Sequence, residues 1–392
     1  MTIAFICGSL EQGKDGVGDY TRRLAGELVK QGHSVAMMAL YDNYVHKPVE
    51  ETQLEESMVL PVLRIPAGAA SKARIVSATT WIAALDPDWL SLQFVPFAFH
   101  NKGLPFSLAY TLTKIGRGRN WHIMFHELWV GVEANASFKI SSWGWLQKQL
   151  IKFIISTLKP AILHTQTRLY QAQLNKLGLD ASYLPLFGNI PLVKDNEEPL
   201  SSEQRKRIIL VSFGAIHAGV PVNKLTAEVV QYAASQNAEL ILKIVGRSGA
   251  ELAHWSKVWQ EAGARVEVLG EQSTEQISRI FQGATIGIST TPLVLVEKSG
   301  SVAAMLEHGL PVLCVRQPTS FSYNINDIPL AGVLQYVPGN FEACICSSTR
   351  LEMKSLLGGV AEKFSGDLLE SLEEASCKGS KNHSSRLELK YS

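Results

Sequence analysis

The sequence predicts an α/β protein made of two doubly wound, Rossmann-like domains. Three observations predict it. Short apolar runs such as TIAFIC, WLSLQFV, IILVSFG and AELILKIVG alternate with longer amphipathic segments. Strands buried on both faces of a parallel sheet read as such runs, and helices supply their cover. The pattern stops at a charged, proline-containing stretch, residues 189–207, and then restarts. The chain has 392 residues, more than one core usually accommodates.

In chain order, TIAFIC is the first strand. No positive segment precedes it, so it reads as a strand rather than a signal peptide. A loop with glycines at 8, 13, 16 and 18 follows, then a first helix over Asp19 to Lys30. HSVAMMALY is the second strand, after the stop signal QGH. WLSLQFV, NWHIMFHE and AILHTQ are later strands, and PFSLAYTLTKIG, WGWLQKQLIKFIISTLK and RLYQAQLNKLG are helices. ASYLPLF closes the first series. In the second half, IILVSFG, AELILKIVG, ARVEVLG, ATIGIST and LPVLCV are strands. NKLTAEVVQYAASQ, ELAHWSKVWQEAG, TEQISRIFQ and SVAAMLEHG are the helices between them. The expected domains are therefore 1–192 and 207–375, the second including closing helices, joined by a linker at 193–206 and followed by a tail at 376–392.

Composition excludes several classes. The chain is 46% hydrophobic and 19% charged, which suits a globular protein with large buried sheets. Its 37 basic and 36 acidic residues leave a net charge of +1, so no nucleic-acid partner is expected. No stretch is long and apolar enough to span a membrane. The five cysteines suggest no disulfide framework, and Cys344 and Cys346 lack the second pair or histidine cluster a zinc site needs. Cys7 and Cys314 lie in apolar strands and read as small core residues, in a chain expected to be cytoplasmic.

Two segments have the chemistry of a phosphate site. In FICGSLEQGKDGVGDYTRRLAGELVKQG the glycines allow tight turns and close approach of a ligand, and a helix then points its N–H groups and positive dipole end at it. The spacing is not GxGxxG, and no GKS or GKT follows, so neither the dinucleotide fingerprint nor a P-loop is present. In VEKSGSVAAMLEHG, Lys298, Ser299, Gly300 and Ser301 open a helix whose N–H groups suit phosphate. The other reading of Ser299 or Ser301 is an N-cap. HELWVG is not HExxH, and no Ser-His-Asp order or metal-ligand cluster competes.

Four stretches carry a resemblance to a known family: DGVGDYTRRLAGEL, LQFVPFAFHNKGLP, FHELW and VEKSGSVAAMLEHGLPVL. Together they make most of residues 1–375 resemble retaining glycosyltransferases of the GT-B fold, in particular the GT4-like family. The resemblance implies two Rossmann-like domains facing a central cleft. The first domain receives the acceptor, the second holds a nucleotide-diphosphate sugar, and a closing helix often crosses back to the first. It implies hexosyl transfer with retention, as in carbohydrate biosynthesis, with no tightly bound cofactor or metal.

The resemblance also implies roles for single residues. Glu297 matches the glutamate that contacts the donor sugar, where a carboxylate accepts hydroxyl hydrogen bonds or steadies positive charge. The family's second glutamate, eight residues on, falls here on Met305, or on Ala304 if aligned through GLPV. Glu307 is the nearby substitute for the ribose contact, about one turn from Ala304. Gly214 matches the glycine after the first donor-domain strand, but Ala215 stands where an arginine is common. His217 is close by, and Lys224 and Arg247 are the candidates to offset the leaving diphosphate. His126 matches a histidine that hydrogen-bonds the transferred sugar, and its two ring nitrogens can donate and accept differently. Beside it, Glu127 is a candidate to orient the acceptor. Gly16 and Gly18 fit the loop near the donor phosphates. Asp19 either caps the first helix or binds an acceptor hydroxyl. Gln93 is placed on the acceptor side, with Phe94 and Phe97 lining it, whereas Tyr20 is expected to pack.

The expected function is transfer from a nucleotide-diphosphate sugar to a glycan, lipid-linked or small hydroxyl acceptor. The acceptor attacks on the leaving-group face and a phosphate oxygen helps take its proton. Two other readings stay open. One is a different sugar-nucleotide enzyme of the same fold, an epimerase or a phosphorylase. The other is a noncatalytic sugar-nucleotide or glycan-binding protein, to which the missing acidic and basic groups lend weight. The segment FKISSWGWLQKQLIKFIISTLK, with Lys139, Lys148, Lys152 and Lys159 beside Trp143, Trp145 and Phe153, reads first as a packed helix. Its alternative is peripheral contact with an anionic membrane surface, which would place the protein at the inner membrane face.

Overall fold

The computed structural model describes residues 1–132, 136–193, 206–318 and 330–388, with side chains described to residue 374. Most of the expected linker, 194–205, and the side chains of the expected tail lie outside the described residues. The chain divides into two compact units, Met1–Pro185 with Leu357–Ser392, and Leu186–Leu356.

Unit 1 runs β1 (Thr2–Cys7), α1 (Gly16–Lys30), β2 (Ser34–Asp42), β3 (Val49–Glu55), β4 (Met58–Pro66), α2 (Ser71–Leu85), β5 (Trp89–Phe94), α3 (Pro96–Phe99) and α4 (Leu108–Ile115). It continues through β6 (Asn120–Phe125), α5 (Phe138–Leu158), β7 (Ile162–Thr165), α6 (Arg168–Asn175) and β8 (Ser182–Tyr183). Among the described residues its sheet has the order β3-β4-β2-β1-β5-β6-β7-β8. All neighbours pair in parallel except β3 and β4. That antiparallel edge hairpin departs from the all-parallel expectation. It turns at Glu56, whose φ is +52°, and its outer strand VEETQLE carries three acids, Glu50 exposed and Glu51 and Glu55 half-buried against Arg64 and Arg23; charges on an edge strand discourage pairing with another sheet.

Helix α1 starts three residues before the predicted Asp19. Asp15 is its N-cap, accepting the Gly18 N–H at 2.7 Å, so the helix absorbs Gly16 and Gly18 into its first turn. Helix α5 buries Gly144, Gln147, Ile151, Ile154 and Leu158, a stripe at helical spacing. Phe138, Trp145 and Phe153 are exposed on its other side, and Ile140 is exposed where the stripe begins. No helix among the described residues is long and apolar enough to cross a membrane.

Unit 2 runs β9 (Arg207–Phe213), α7 (Val222–Ser235), β10 (Glu239–Val245), α8 (Leu252–Glu261), β11 (Arg265–Gly270), α9 (Thr274–Gly283) and β12 (Ile286–Ser289). A 3-10 turn at Leu293–Lys298 leads into α10 (Gly300–Glu307), followed by β13 (Val312–Cys314), β14 (Val333–Gln335) and α11 (Phe341–Ser347). Its sheet is parallel throughout the described residues, in the order β11-β10-β9-β12-β13-β14. This is the doubly wound dinucleotide-binding order. Leu210, Leu242, Ile244, Ile286 and Leu313 pack on one face with Trp255 and Trp259 of α8, while Val211, Val245, Val312 and Cys314 meet Phe281 and Met305 on the other.

The last helix, α12 (Leu357–Glu388), belongs to unit 1. It buries Val360, Ala361, Phe364 and Leu368, a single face on the 3.6-residue period. The Phe364 ring lies 5.7 Å from Phe5 of β1 and 5.0 Å from His122 of β6, centroid to centroid. The final helix thus covers the centre of a sheet whose first strand begins at Thr2. Replacing Phe364 by alanine should cost about 3–5 kcal/mol. In urea unfolding of the full chain, the transition assigned to unit 1 should move and that of unit 2 should stay.

Candidate functional site

In open α/β sheets, ligands bind beyond the carboxyl ends of the strands, where the strand order reverses. Here the order reverses around β1, flanked by β2 and β5, and around β9, flanked by β10 and β12. Most of the residues singled out from the sequence lie at these two places.

In unit 1, the loop after β1 is built on close backbone approach. A Cβ on Gly8 would fall 2.7 Å from both Cβ and the carbonyl oxygen of Ala98, and one on Gly18 would fall 2.6 Å from the Ser9 carbonyl oxygen. Gly16 is exposed at the helix start. Asp19 does not cap α1. Its Oδ1 accepts the Gly13 N–H at 3.0 Å and Arg22 Nη1 at 2.7 Å, which folds the glycine loop back onto the helix. Arg22 also donates to the Leu10 carbonyl at 2.9 Å. Asp42, at the end of β2, accepts the Leu10 N–H at 3.2 Å and Arg64 Nε at 2.8 Å. Burial pushes the Asp42 carboxyl up, but Arg64 and the backbone N–H groups of Tyr44 and Leu10 outweigh it and hold it below its usual value.

His126 follows β6 and is buried, 3% exposed. Its Nε2 lies 2.8 Å from Gln93 Oε1 of β5, and its Nδ1 lies 3.1 Å from Gln166 Oε1 after β7. Tyr20 of α1 meets its ring edge-on at 4.9 Å. Gln93, His126 and the first helix therefore converge, and both imidazole nitrogens already have protein partners. Burial holds the His126 value down at about 4, with Gln166 opposing. Below it in the sheet, His122 is held well below its ordinary value by burial first, then by His164 and His126. Glu127 is half-buried beside His126, and its N–H donates to the Phe94 carbonyl at 3.4 Å. Phe94 is a core residue, packed on Phe99 and edge-on to Phe125, whereas Phe97 is exposed.

In unit 2, the loops after β9, β10 and β12 are sewn together. Gly214 donates to the Val245 carbonyl at 2.9 Å, and Ile216 to that of Ser248 at 3.0 Å. The His217 N–H donates to Thr290 Oγ1 at 2.9 Å. Gly214 has φ +83°, and a Cβ there would lie 2.9 Å from Ser301 Oγ in the first turn of α10. The glycine after the first strand thus touches the helix start predicted to hold phosphate. Ser299 is the N-cap, its Oγ accepting the Val302 N–H at 3.4 Å. Glu297, Lys298, Ser299, Gly300 and Ser301 are all half-buried, and nothing lies within 4 Å of where a Gly300 Cβ would stand. Arg247 follows β10 and pairs with Glu271 at 3.3 Å. Lys224 is exposed in the first turn of α7.

Glu307 is placed differently. It ends α10, is 4% exposed, and its Oε1 accepts the N–H groups of Gly188 and Leu356, each at 3.0 Å. One carboxylate thereby holds the two places where the chain enters and leaves unit 2. Sequence reasoning passed over that role, and also over Ser91, His122, His164 and Gln166. The signal for those four was present. They stand an even number of residues apart, Ser91 with Gln93 in SLQ, His122 with His126 in HIMFH and His164 with Gln166 in HTQ, and so share a face within each strand. Among the described residues, no group of three or more His, Cys, Asp or Glu side chains could hold a metal ion.

No protein-family model matches the chain, and no curated protein matches it in sequence. Solved structures match its fold. The UDP-GlcNAc 2-epimerase of Methanocaldococcus jannaschii aligns with a TM-score of 0.55 at 10% identity, covering 94% of this chain and 100% of that one. The catalytic domain of starch synthase IV from Arabidopsis thaliana, bound to ADP and acarbose, gives 0.51 at 12% identity over 95% and 99%. The pneumococcal O-GlcNAc transferase GtfA, in complex with UDP and GlcNAc, gives 0.51 at 11% identity over 96% and 98%. At these identities the likeness concerns the fold, which is GT-B: two Rossmann-like α/β units.

Two outcomes follow from this geometry. Gly214→Ala should cost about 1–2 kcal/mol, because a left-handed backbone and the Ser301 hydroxyl both oppose a Cβ; thermal unfolding would measure it. Stability should also fall with acid. The folded His126 value is depressed, so its contribution is complete above the ordinary imidazole value of 6.5 and is lost as pH falls toward about 4. That loss is about 3 kcal/mol from His126, and His122 adds in the same direction. Urea midpoints taken between about pH 7 and about pH 4.5 should decline across this window.

Proposed function

We propose that this protein is a retaining glycosyltransferase of GT4-like type, moving a hexosyl group from a nucleotide-diphosphate sugar to a hydroxyl acceptor. The observation that carries the reading is the contact of Gly214 with Ser301 at the reversal point of the unit 2 sheet, immediately after Glu297. A glycine turn there lets a ligand approach the backbone, and the N-terminal N–H groups of α10 favour a phosphate. Proteins of the same fold have been solved with UDP and GlcNAc or with ADP, which supports a nucleotide diphosphate as the bound species.

In this proposal unit 2 takes the donor and unit 1 the acceptor. Ser299, Gly300 and Ser301 receive the diphosphate, and Lys298, Arg247 and Lys224 offset its charge. Glu297 accepts hydrogen bonds from the hydroxyls of the transferred sugar, and His126 is a second sugar contact. The acceptor oxygen bonds to the anomeric carbon on the face the diphosphate leaves. The carbon–oxygen bond to the phosphate breaks, and the acceptor proton passes to a phosphate oxygen. Gly16 and Gly18 lie near the donor phosphates, and Asp19, Gln93 and Glu127 shape the acceptor side. The exposed aromatic residues and lysines of α5 suit an acceptor carried on an anionic membrane.

The test is a panel of nucleotide-diphosphate sugars with glycan, lipid-linked and small hydroxyl acceptors, scored for product and for free nucleotide. Acceptor-dependent product is expected. Glu297→Ala should lower turnover by about 10²–10³-fold while leaving nucleotide binding within a few-fold. Isomerised nucleotide sugar without acceptor would instead make the protein an epimerase. Saturable binding with no turnover would make it a sugar-nucleotide-binding protein.

A further inference from the structure

A line of side chains in unit 1, buried from His164 onward, joins α12 to His126. Lys363 Nζ donates to Asp367 Oδ2 at 2.8 Å, and His164 Nε2 lies 2.8 Å from the same oxygen. His164 Nδ1 is 3.0 Å from His122 Nε2, and His122 Nδ1 is 2.8 Å from Ser91 Oγ. Gln93 Nε2 donates to Ser91 Oγ at 2.8 Å, and Gln93 Oε1 is 2.8 Å from His126 Nε2. Ser91, Gln93, His122 and His164 are all buried, so water supplies none of these partners.

The partners dictate the direction of every bond. A carboxylate can only accept, and the Asp367 carboxyl is held below its usual value, first by the His164 hydrogen bond. His164 must then donate from Nε2. With one proton on each imidazole, His164 Nδ1 is an acceptor and His122 donates to it from Nε2. His122 Nδ1 in turn accepts the Ser91 hydroxyl proton. The Ser91 oxygen takes the Gln93 NH2, which turns the Gln93 carbonyl toward His126. His126 must therefore donate from Nε2. Reversing one link would set two donors or two acceptors face to face in a medium that penalises both.

We propose that Asp367 is a positioning residue for His126, fixing it through His164, His122, Ser91 and Gln93 as the Nε2–H tautomer with Nδ1 left as an acceptor. The proposal deepens the transferase reading and rests on it for the role of His126. It requires the Gln166 amide, whose Oε1 stands 3.1 Å from Nδ1, to be turned so that its NH2 donates to that nitrogen. A sugar hydroxyl that takes the place of Gln166 must donate to that nitrogen, not accept from it.

The test is NMR of the imidazole nitrogens in the full-length protein labelled at histidine with nitrogen-15, at about pH 7.5, above the ordinary imidazole range. His122, His126 and His164 should each be protonated at Nε2 and bare at Nδ1. Asp367→Asn can offer His164 either an oxygen or an NH2, so all three should become mixtures. Ser91→Ala cuts the line below His126, so His126 should become a mixture while His164 keeps its single form. A protonated Nδ1 at His126 in the unaltered protein overturns the proposal, as does an unchanged His126 in both variants. If a variant does not fold, the unaltered protein still decides. The spectra need no substrate, so their failure is separate from failure of the transferase assay.

Discussion

Strands covered on both faces have only their ends left for chemistry, and the rest of this structure follows from that constraint. In both units the parallel ladder runs under helices, so Val, Ile and Leu dominate the strand interiors and the carboxyl ends are left as the place where a ligand can reach polar groups. At those ends the loops have to come close to one another, and Gly8, Gly18 and Gly214 mark where the approach leaves no room for a Cβ. The glycines are a consequence of the sheet as much as of any ligand.

The same constraint explains the buried carboxylates. A β/α chain leaves N–H groups unpaired wherever it turns out of a strand or starts a helix. Asp42 collects the Leu10 and Tyr44 N–H groups at the end of β2. Glu228 of α7 accepts the N–H groups of Gly339 and Phe341 and the Tyr336 hydroxyl beneath α11. Glu307 accepts those of Gly188 and Leu356. Apart from Asp42 with Tyr44, each acid lies far in sequence from the groups it satisfies, so removing it would leave several donors unpaired rather than subtract one surface charge.

The alternation of strands and helices was legible in the sequence because most strands are short apolar runs and most helices between them carry an apolar stripe at the 3.6-residue period. The edge hairpin was not. VEETQLE looks like a solvated run until β4 pairs with it, and Pro61 disguises β4 as a loop. Helix α2 hid because it buries only Arg74, Ala78 and Ile82, and Arg74 is there to satisfy the carbonyls of Leu40, Pro66 and Ala67. In DGVGD two aspartates competed for the cap, and the loop's fold chose Asp15. The helix start at Ser299 and the glycine turn at Gly214 were readable because loop and helix chemistry is local. Glu307 and His126 were harder, since their partners lie 119, 40 and 33 residues away.

The return of α12 to unit 1 also sets an order of events during synthesis. Unit 2 is one continuous stretch, Leu186–Leu356, whereas unit 1 needs residues on both sides of it. A ribosome delivers the eight strands of the first sheet early, yet Phe5 and His122 stay uncovered until Phe364 emerges. Domains generally fold as units while the chain grows. Here the domain made first must finish last. Until then the Phe5 and His122 side of its sheet lacks the cover that Phe364 supplies.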